Sequence, residues 1–213
     1  MILKLHFELK TKFVLAYLCI FVYTGMNDVA LFDQLRKRNF SASKVFFERY
    51  YGRMLAVCRR YCAEDAEALS TLFDLYDPTL EYLLQHTVES KENLWPHLEM
   101  ALIKKLILHT KLKGASFHVS NTVHPKSQNE FNFDLFAPSE RVDFSLTNRE
   151  SLLKSIQQLT PPHRLVYNLC CIDGFSNMEV AELMEYSLDT VRVNLEKAKF
   201  ALFKNLEYIL THQ

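Results

Sequence analysis

The side chains best suited to recognising another molecule cluster near the C-terminus: Ser187, Thr190, Arg192, Asn194, Lys197 and Lys199. A guanidinium at Arg192 and a carboxamide at Asn194 are the groups that make paired hydrogen bonds to guanine and adenine edges, respectively. Ser187 and Thr190 open an apolar-periodic run. There their hydroxyls and backbone N–H groups can meet a phosphate with the help of the helix dipole. Lys197 and Lys199 lie further along and suit contacts to a phosphate backbone. The same six residues would also serve as the solvated face of an ordinary amphipathic helix, and both readings stand at this level.

Other chemistry is sparse. The eight histidines are scattered without HExxH or a paired Cys/His set, and no GxSxG nucleophile motif occurs. Neither GxGxxG nor GxxxxGK[ST] is present, so no glycine loop cradles a phosphate. Five cysteines, Cys19, Cys58, Cys62, Cys170 and Cys171, are an odd number in a chain of 213 residues and form no disulfide framework. Cys58 and Cys62, four apart, share a helix face; they are either a metal or redox pair or, as small hydrophobes, ordinary packed thiols of a reducing compartment. An enzyme is not expected, nor is a cofactor, a metal or a small-molecule substrate.

The elements that must position these groups are helical. Hydrophobic residues at 49% and charged residues at 23% exclude wholesale disorder. With only 4 Gly and 6 Pro, a turn-rich β-sandwich or barrel is excluded too. Net charge is 0, so no global field draws the chain to nucleic acid or membrane. The charge is blocked, however. Arg36, Lys37, Arg38, Lys44, Arg49, Arg53, Arg59 and Arg60 face the single acid Glu48 between positions 36 and 62. Positions 63–90 then carry Glu64, Asp65, Glu67, Asp74, Asp77, Glu81 and Glu89 with no Lys or Arg. Such blocks either serve two partners of opposite charge or pair with each other across adjacent helices.

Apolar residues recur at helical spacing from Asp28 onward, through Leu31, Phe32 and Leu35 and then Val45, Phe46, Tyr50, Leu55 and Val57. A second stretch, 63–85, is expected to bend or break at Pro78. A third runs from about Leu94 to Leu112, burying Leu98, Ala101, Leu102, Leu106 and Ile107, with Gly114 as its stop. Positions 114–146 have no sustained period and are too long for a loop inside one compact domain, so they read as a flexible linker. Beyond it, Thr147 and Glu150 have capping-box spacing before a helix carrying Leu152, Leu153, Ile156 and Leu159. Pro161 and Pro162 open the next helix, with Leu165, Val166 and Leu169 buried, and Asp173–Gly174 ends it. Ser176 and Glu179 form a second capping box before Val180, Ala181 and Leu183. Ser187 caps a long final helix with Val191, Leu195, Ala198 and Leu202. Two helices joined by about three residues make a helix-turn-helix. Residues 147–213 hold seven Lys or Arg against eight Asp or Glu, so no basic charge favours DNA there.

The expected fold is all-α, with two small helical domains, 26–113 and 147–213, joined by the linker 114–146. Residues 1–25 stand apart. Lys4, Lys10 and Lys12 precede the eleven-residue apolar run Phe13–Tyr23, which is too short to span a bilayer, where about 20 residues are needed. It reads either as in-frame sequence upstream of a start at Met26 or as a signal or short anchor without a good cleavage site.

The run Leu159–Leu206, LTPPHRLVYNLCCIDGFSNMEVAELMEYSLDTVRVNLEKAKFALFKNL, resembles region 4 of sigma-70-type sigma factors, especially the extracytoplasmic-function (ECF) group. The resemblance lies in Leu-x-Pro before an apolar helix, then Gly-Phe-Ser, Glu-Val-Ala-Glu-Leu, Ser-x-x-Thr-Val-Arg and Leu-x-Lys-Ala-Lys. Glu185 stands at the turn position usually held by Gly, and Val193–Asn194 replaces a commoner Ser-Arg pair. These departures bear on the DNA contact and not on the fold. Met26–Cys62 is similar to the first helices of the family's region 2. Asp65-Ala66-Glu67 is similar to the start of the helix that docks on the polymerase clamp, although Leu80–Leu83, with Glu81, fits the same family helix in another register. Trp95–Lys113 falls where the family contacts the −10 element, which puts Lys104, Lys105, His109 and Lys111 near promoter DNA. The family's Arg-Asn and Asp of that helix have no clear counterpart, and Trp95 beside Pro96 reads as a packing residue.

The resemblance therefore implies a cytoplasmic transcription factor whose partners are core RNA polymerase, promoter DNA and an anti-sigma factor if a cognate one exists. The alternative is a DNA-binding regulator of another kind, with a sigma-like C-terminal domain and a divergent partner-binding N-terminal domain.

Overall fold

The computed structural model describes residues 25–86, 93–112 and 147–212. Phe13–Tyr23, Gly114 and the expected linker 114–146 lie outside them. The described residues form eight α-helices and no strand: α1 (Asp28–Arg36), α2 (Phe40–Tyr61), α3 (Asp65–His86), α4 (Trp95–Leu112), α5 (Arg149–Gln157), α6 (Pro161–Tyr167), α7 (Asn177–Met184) and α8 (Leu188–Thr211). The all-α expectation holds. No helix among the described residues is long and apolar enough to cross a membrane.

The chain divides into two compact units, and the divisions fall inside α2, α3 and α4. The first unit comprises residues up to Val57 together with Leu72–Lys105. Its core includes Leu31, Phe32, Phe46, Met54, Leu72, Leu83, Leu94, Leu98 and Leu102. Asn27 caps α1 by accepting from the Ala30 amide, and Arg38, at φ 56°, turns the chain towards α2. Asn39 then accepts from the Ala42 amide. Asp28 ties the unit together: Arg49 Nη1 lies 2.8 Å from Oδ1, while the Tyr50 hydroxyl at 2.5 Å and the Leu94 amide at 2.9 Å donate to Oδ2. Burial raises the Asp28 pKa, but the Leu94 amide, Tyr50 and Arg49 outweigh it and hold the carboxyl below its usual value. Trp95 is half-buried, stacked at 6.1 Å on Tyr50, with the Arg53 guanidinium 5.5 Å from the centre of its ring.

Two expectations need correcting here. Helix α3 runs unbroken through Pro78. Proline removes one hydrogen bond and crowds the carbonyl four residues back, both of which lie on the solvent side at Pro78 and Asp74, while buried Leu75, Thr79 and Leu83 hold the opposite face. On α2, Leu55 is only half-buried, and Met54 with Cys58 continues the core stripe instead.

The second unit comprises Cys58–Thr71 and Leu106–Gln213. Its long helix α8 packs against α5, α6 and α7. Helix α5 begins one residue later than the capping-box spacing predicts. Asn148, a stronger N-cap than Thr, accepts from the Ser151 amide, and Thr147 Oγ1 is buried without a partner. The buried face of α5 is also not the expected one. Ser151, Ser155, Ile156 and the following Leu159 are buried, whereas Leu152 is exposed. Small serines let α8 approach closely, and Asn205 on α8 donates to the Ser155 carbonyl at 3.1 Å. Thr160 is the N-cap of α6, with Pro161 and Pro162 at its first positions, where a missing N–H costs nothing. Leu165, Val166 and Leu169 are buried as expected.

Candidate nucleic-acid interface

Helix α6 passes into a π-helical turn, Asn168–Ile172, and the chain leaves it at Asp173 and Gly174, whose φ of 79° is the left-handed conformation that glycine adopts without strain. Ser176 and Glu179 then form a complete capping box: Ser176 Oγ accepts from the Glu179 amide, and Glu179 accepts from the Ser176 amide at 2.7 Å. The buried residues of α7 are Val180, Ala181 and Met184; Leu183, expected in their place, is half-buried.

Helix α7 ends at Glu185, φ 60° and ψ 40°, a left-handed C-cap held by a non-glycine residue. Its amide donates to Glu182 O, and the Tyr186 amide to Ala181 O, closing the helix. Lys111 supports the same turn, donating from Nζ to the Leu183 carbonyl at 2.9 Å and pairing with Glu185 at 3.4 Å. A cation on the last carbonyls of a helix is favoured by their partial negative charge. Ser187, the third residue of the turn, caps α8, accepting from the Thr190 amide at 3.1 Å. Val191, Leu195 and Ala198 are buried, while Leu202 is half-buried.

The six candidate residues of α8 and its cap do not share one surface line. Ser187 Oγ and Thr190 Oγ1 are 2.9 Å apart at the helix start, beside the exposed Asp189. Arg192 is exposed and 3.8 Å from Asp189, a loose pair that leaves the guanidinium in solvent. Asn194 lies about 160° around the axis from Arg192, since two residues turn a helix by about 200°. Its Nδ2 donates back to the Thr190 carbonyl at 2.9 Å. The outward face between them presents Asp189, Val193, Glu196 and Lys197, with Phe200 beyond. Lys199 pairs with Glu196 at 2.8 Å, and that hydrogen bond raises its pKa. Helix α8 therefore offers Arg192 and Lys197 as exposed cations, with a carboxylate close to the first.

The remaining candidates fall elsewhere. Lys104 and Lys105, in the first unit, both lie over the Tyr82 ring, at 5.4 and 5.3 Å, and Lys104 Nζ donates to its hydroxyl at 3.0 Å. Asp65 and Glu67 occupy the first turn of α3. Arg59 grips Asp65 through Nε at 2.7 Å and Nη2 at 2.6 Å, which with Gln157 holds the carboxyl below its usual value. Glu67 accepts from the Ala63 amide at 2.8 Å. Glu81, towards the other end of α3, pairs with Arg38 at 3.5 Å. Of the two readings of the charge blocks, pairing across adjacent helices is seen at Arg59–Asp65 and Arg38–Glu81.

No local pattern pointed to Arg60, Tyr61, Gln157, Asn168 and Asp173, which the second unit brings together over about a hundred residues of sequence. The cysteines are not activated. Burial, with Cys62 nearby, pushes the Cys58 thiol up to about 12, and burial with Cys171 nearby pushes Cys170 up to about 11. Cys62 donates to Thr71 Oγ1, and among the described residues no group of three His, Cys, Asp or Glu is placed to hold a metal ion.

Helices α7 and α8 form a helix-turn-helix, closed by a left-handed cap at Glu185 and restarted by the Ser187 cap at the end of a three-residue turn. Residues 149–202 match the family model described as Sigma-70, region 4, so α5–α7 and the first part of α8 are a sigma-70 region 4 domain, typical of non-enzymatic transcription factors. Such a domain implies promoter DNA and RNA polymerase as partners. A search of curated proteins finds no match to the chain.

Proposed function

We propose that this protein is an ECF-type sigma factor that works in the cytoplasm, binds core RNA polymerase and directs it to promoters. The observation that carries the reading is the capped three-residue turn between α7 and α8, inside the region 4 match. In this reading α8 enters the major groove of the −35 element. Arg192 reads a base edge, Ser187 and Thr190 meet phosphate at the helix start, and Lys197 and Lys199 follow the backbone. Asn194, bonded to its own helix, gives up an existing hydrogen bond before reaching a base.

Residues 26–113 act as the polymerase-docking and −10 domain. Asp65, Glu67 and Glu81 face the clamp, and Lys104 and Lys105 lie towards promoter DNA; Lys111, bonded to the Leu183 carbonyl, gives up that bond before it reaches DNA. The cation–aromatic cluster at Tyr82 supports this, since basic and aromatic groups together suit unstacked DNA. The near-neutral C-terminal domain needs no large field of its own, because polymerase supplies nonspecific grip. An anti-sigma factor would act on the same two surfaces.

Transcription in vitro with purified core polymerase and a promoter library tests the proposal. Initiation from a defined set of promoters is expected. DNA binding by the protein without any stimulation of core polymerase would replace this reading with the regulator of another kind.

A further inference from the structure

The outward side of α8 carries an apolar residue set among charged ones. Val193 is 48% exposed, next to Arg192 and with the exposed Asp189 and Lys197 one turn before and after it. The buried Val191 and Leu195 stand two residues to either side, which puts each about 160° around the axis from it. Val193 therefore points away from the core of the domain, towards the side on which a duplex meets the helix. Valine gains nothing from the helix itself at such a position. Its branched Cβ loses side-chain freedom against the preceding turn, and nearly half of the residue stays in water.

The major groove narrows what an outside partner can be. Every base pair presents hydrogen-bonding groups there, and the thymine C5-methyl is the apolar group among them. Opposite any other base edge the two valine methyls cover donors or acceptors without replacing the water those groups lose. Val193 stands in the second turn of α8, within the N-terminal part of a recognition helix that reaches base edges. Arg192, about 100° around the axis, reaches an edge to one side. Asn194, on the other side, is bonded to the Thr190 carbonyl and does not compete for the same edge. The exposed Phe200 lies about 10 Å further along the axis, with Glu196 and Lys197 between, so the two do not merge into one apolar patch for a protein partner.

We propose that Val193 is a specificity-determining residue that selects thymine, through its C5-methyl group, at one base pair of the DNA site, beside the base read by Arg192. The inference deepens the DNA-binding reading of α8 given above and rests on it. Uracil keeps every hydrogen-bonding group of thymine and lacks only the methyl, so it isolates this contact.

The full-length chain, alone and with core polymerase, selects duplexes from a pool randomised over the −35 positions. Each thymine of the selected duplex is then replaced singly by uracil, and affinity is measured. In wild type, uracil at one position is expected to weaken binding by about fourfold, the effect of burying one carbon of that size, and to leave it unchanged at the others. Val193→Ser, at an exposed position, is expected to bind thymine and uracil equally there and to accept other bases. A selected site without thymine overturns the proposal, as does equal binding of every uracil duplex by wild type. A uracil effect that persists undiminished in Val193→Ser overturns it too. A Val193-dependent uracil effect in a chain that never stimulates core polymerase supports the proposal and overturns the sigma-factor reading alone. Failure to select any duplex, with or without polymerase, overturns both, because α8 then reads no DNA.

Discussion

Glu185→Gly is expected to stabilise the helix-turn-helix. Glu185 holds φ 60° and ψ 40° at the end of α7, a conformation that costs an L-residue about 1–2 kcal/mol through the approach of Cβ to the carbonyl oxygen. Glycine removes that cost, but it gives back about 0.4–1 kcal/mol because its unfolded chain is freer. The variant also loses the ion pair with Lys111. The Glu185 side chain is 87% exposed, so solvent screening leaves the pair with about 0–0.5 kcal/mol. Lys111 keeps its bond to the Leu183 carbonyl. The balance is a gain of about 0.5–1 kcal/mol, equivalent to about 2–8 °C for a unit of this size. Hydrogen exchange at α7 and α8 reads the local opening free energy, and thermal unfolding followed by far-UV circular dichroism reads the midpoint. Glu185→Ala separates the causes, since it removes the ion pair and keeps the backbone strain, and should be neutral or slightly destabilising. If Glu185→Gly is no more stable than Glu185→Ala, the turn is not strained and the reasoning fails.

Arg192→Ala should weaken −35 binding by about 1–3 kcal/mol in a sequence-dependent way, and Asn194→Ala by less, because its amide is already bonded within α8; electrophoretic binding to matched and mismatched sites checks both. Lys199→Ala should weaken all sequences alike and flatten the salt dependence. Charge reversal at Asp65, Glu67 and Glu81 should abolish capture of core polymerase while leaving DNA binding intact, and capture retained by the triple variant would remove these residues from the docking surface. Ser155→Leu should destabilise the second unit by about 1–3 kcal/mol, measured by chemical denaturation, because α8 approaches α5 where a small residue stands. The Asp28 carboxyl is held below 3.8, so its contribution is fully present above that pH and is lost as pH falls through the lower folded value. Asp28→Asn should cost about 1.5–3 kcal/mol at neutral pH and remove that part of the acid sensitivity, read from unfolding midpoints between pH 2 and 7.

What the sequence determined by itself was local. Ser176 and Glu179, Ser187, and Pro161–Pro162 each mark a helix start through groups within four residues, and each start stands where the spacing put it. The apolar period of α8 and the run from Leu159 to Leu206 were enough to show a helix-turn-helix, which the region 4 match at 149–202 supports. Thr147 lost the cap to Asn148 because the two spacings differ by a single residue and Asn is the stronger acceptor. Pro78 sits inside a helix because packing on the opposite face outweighs one missing hydrogen bond, a balance that propensity cannot express. The buried serines of α5 follow from how closely α8 approaches, and no hydrophobic count could select Ser155 over Leu152. Tertiary structure alone decided which charges are spent internally. Arg59 could meet Asp65 across a six-residue turn, but Arg60 and Tyr61 meet Asp173 across more than a hundred residues, where sequence periodicity carries no information because the contact depends on how whole helices are placed.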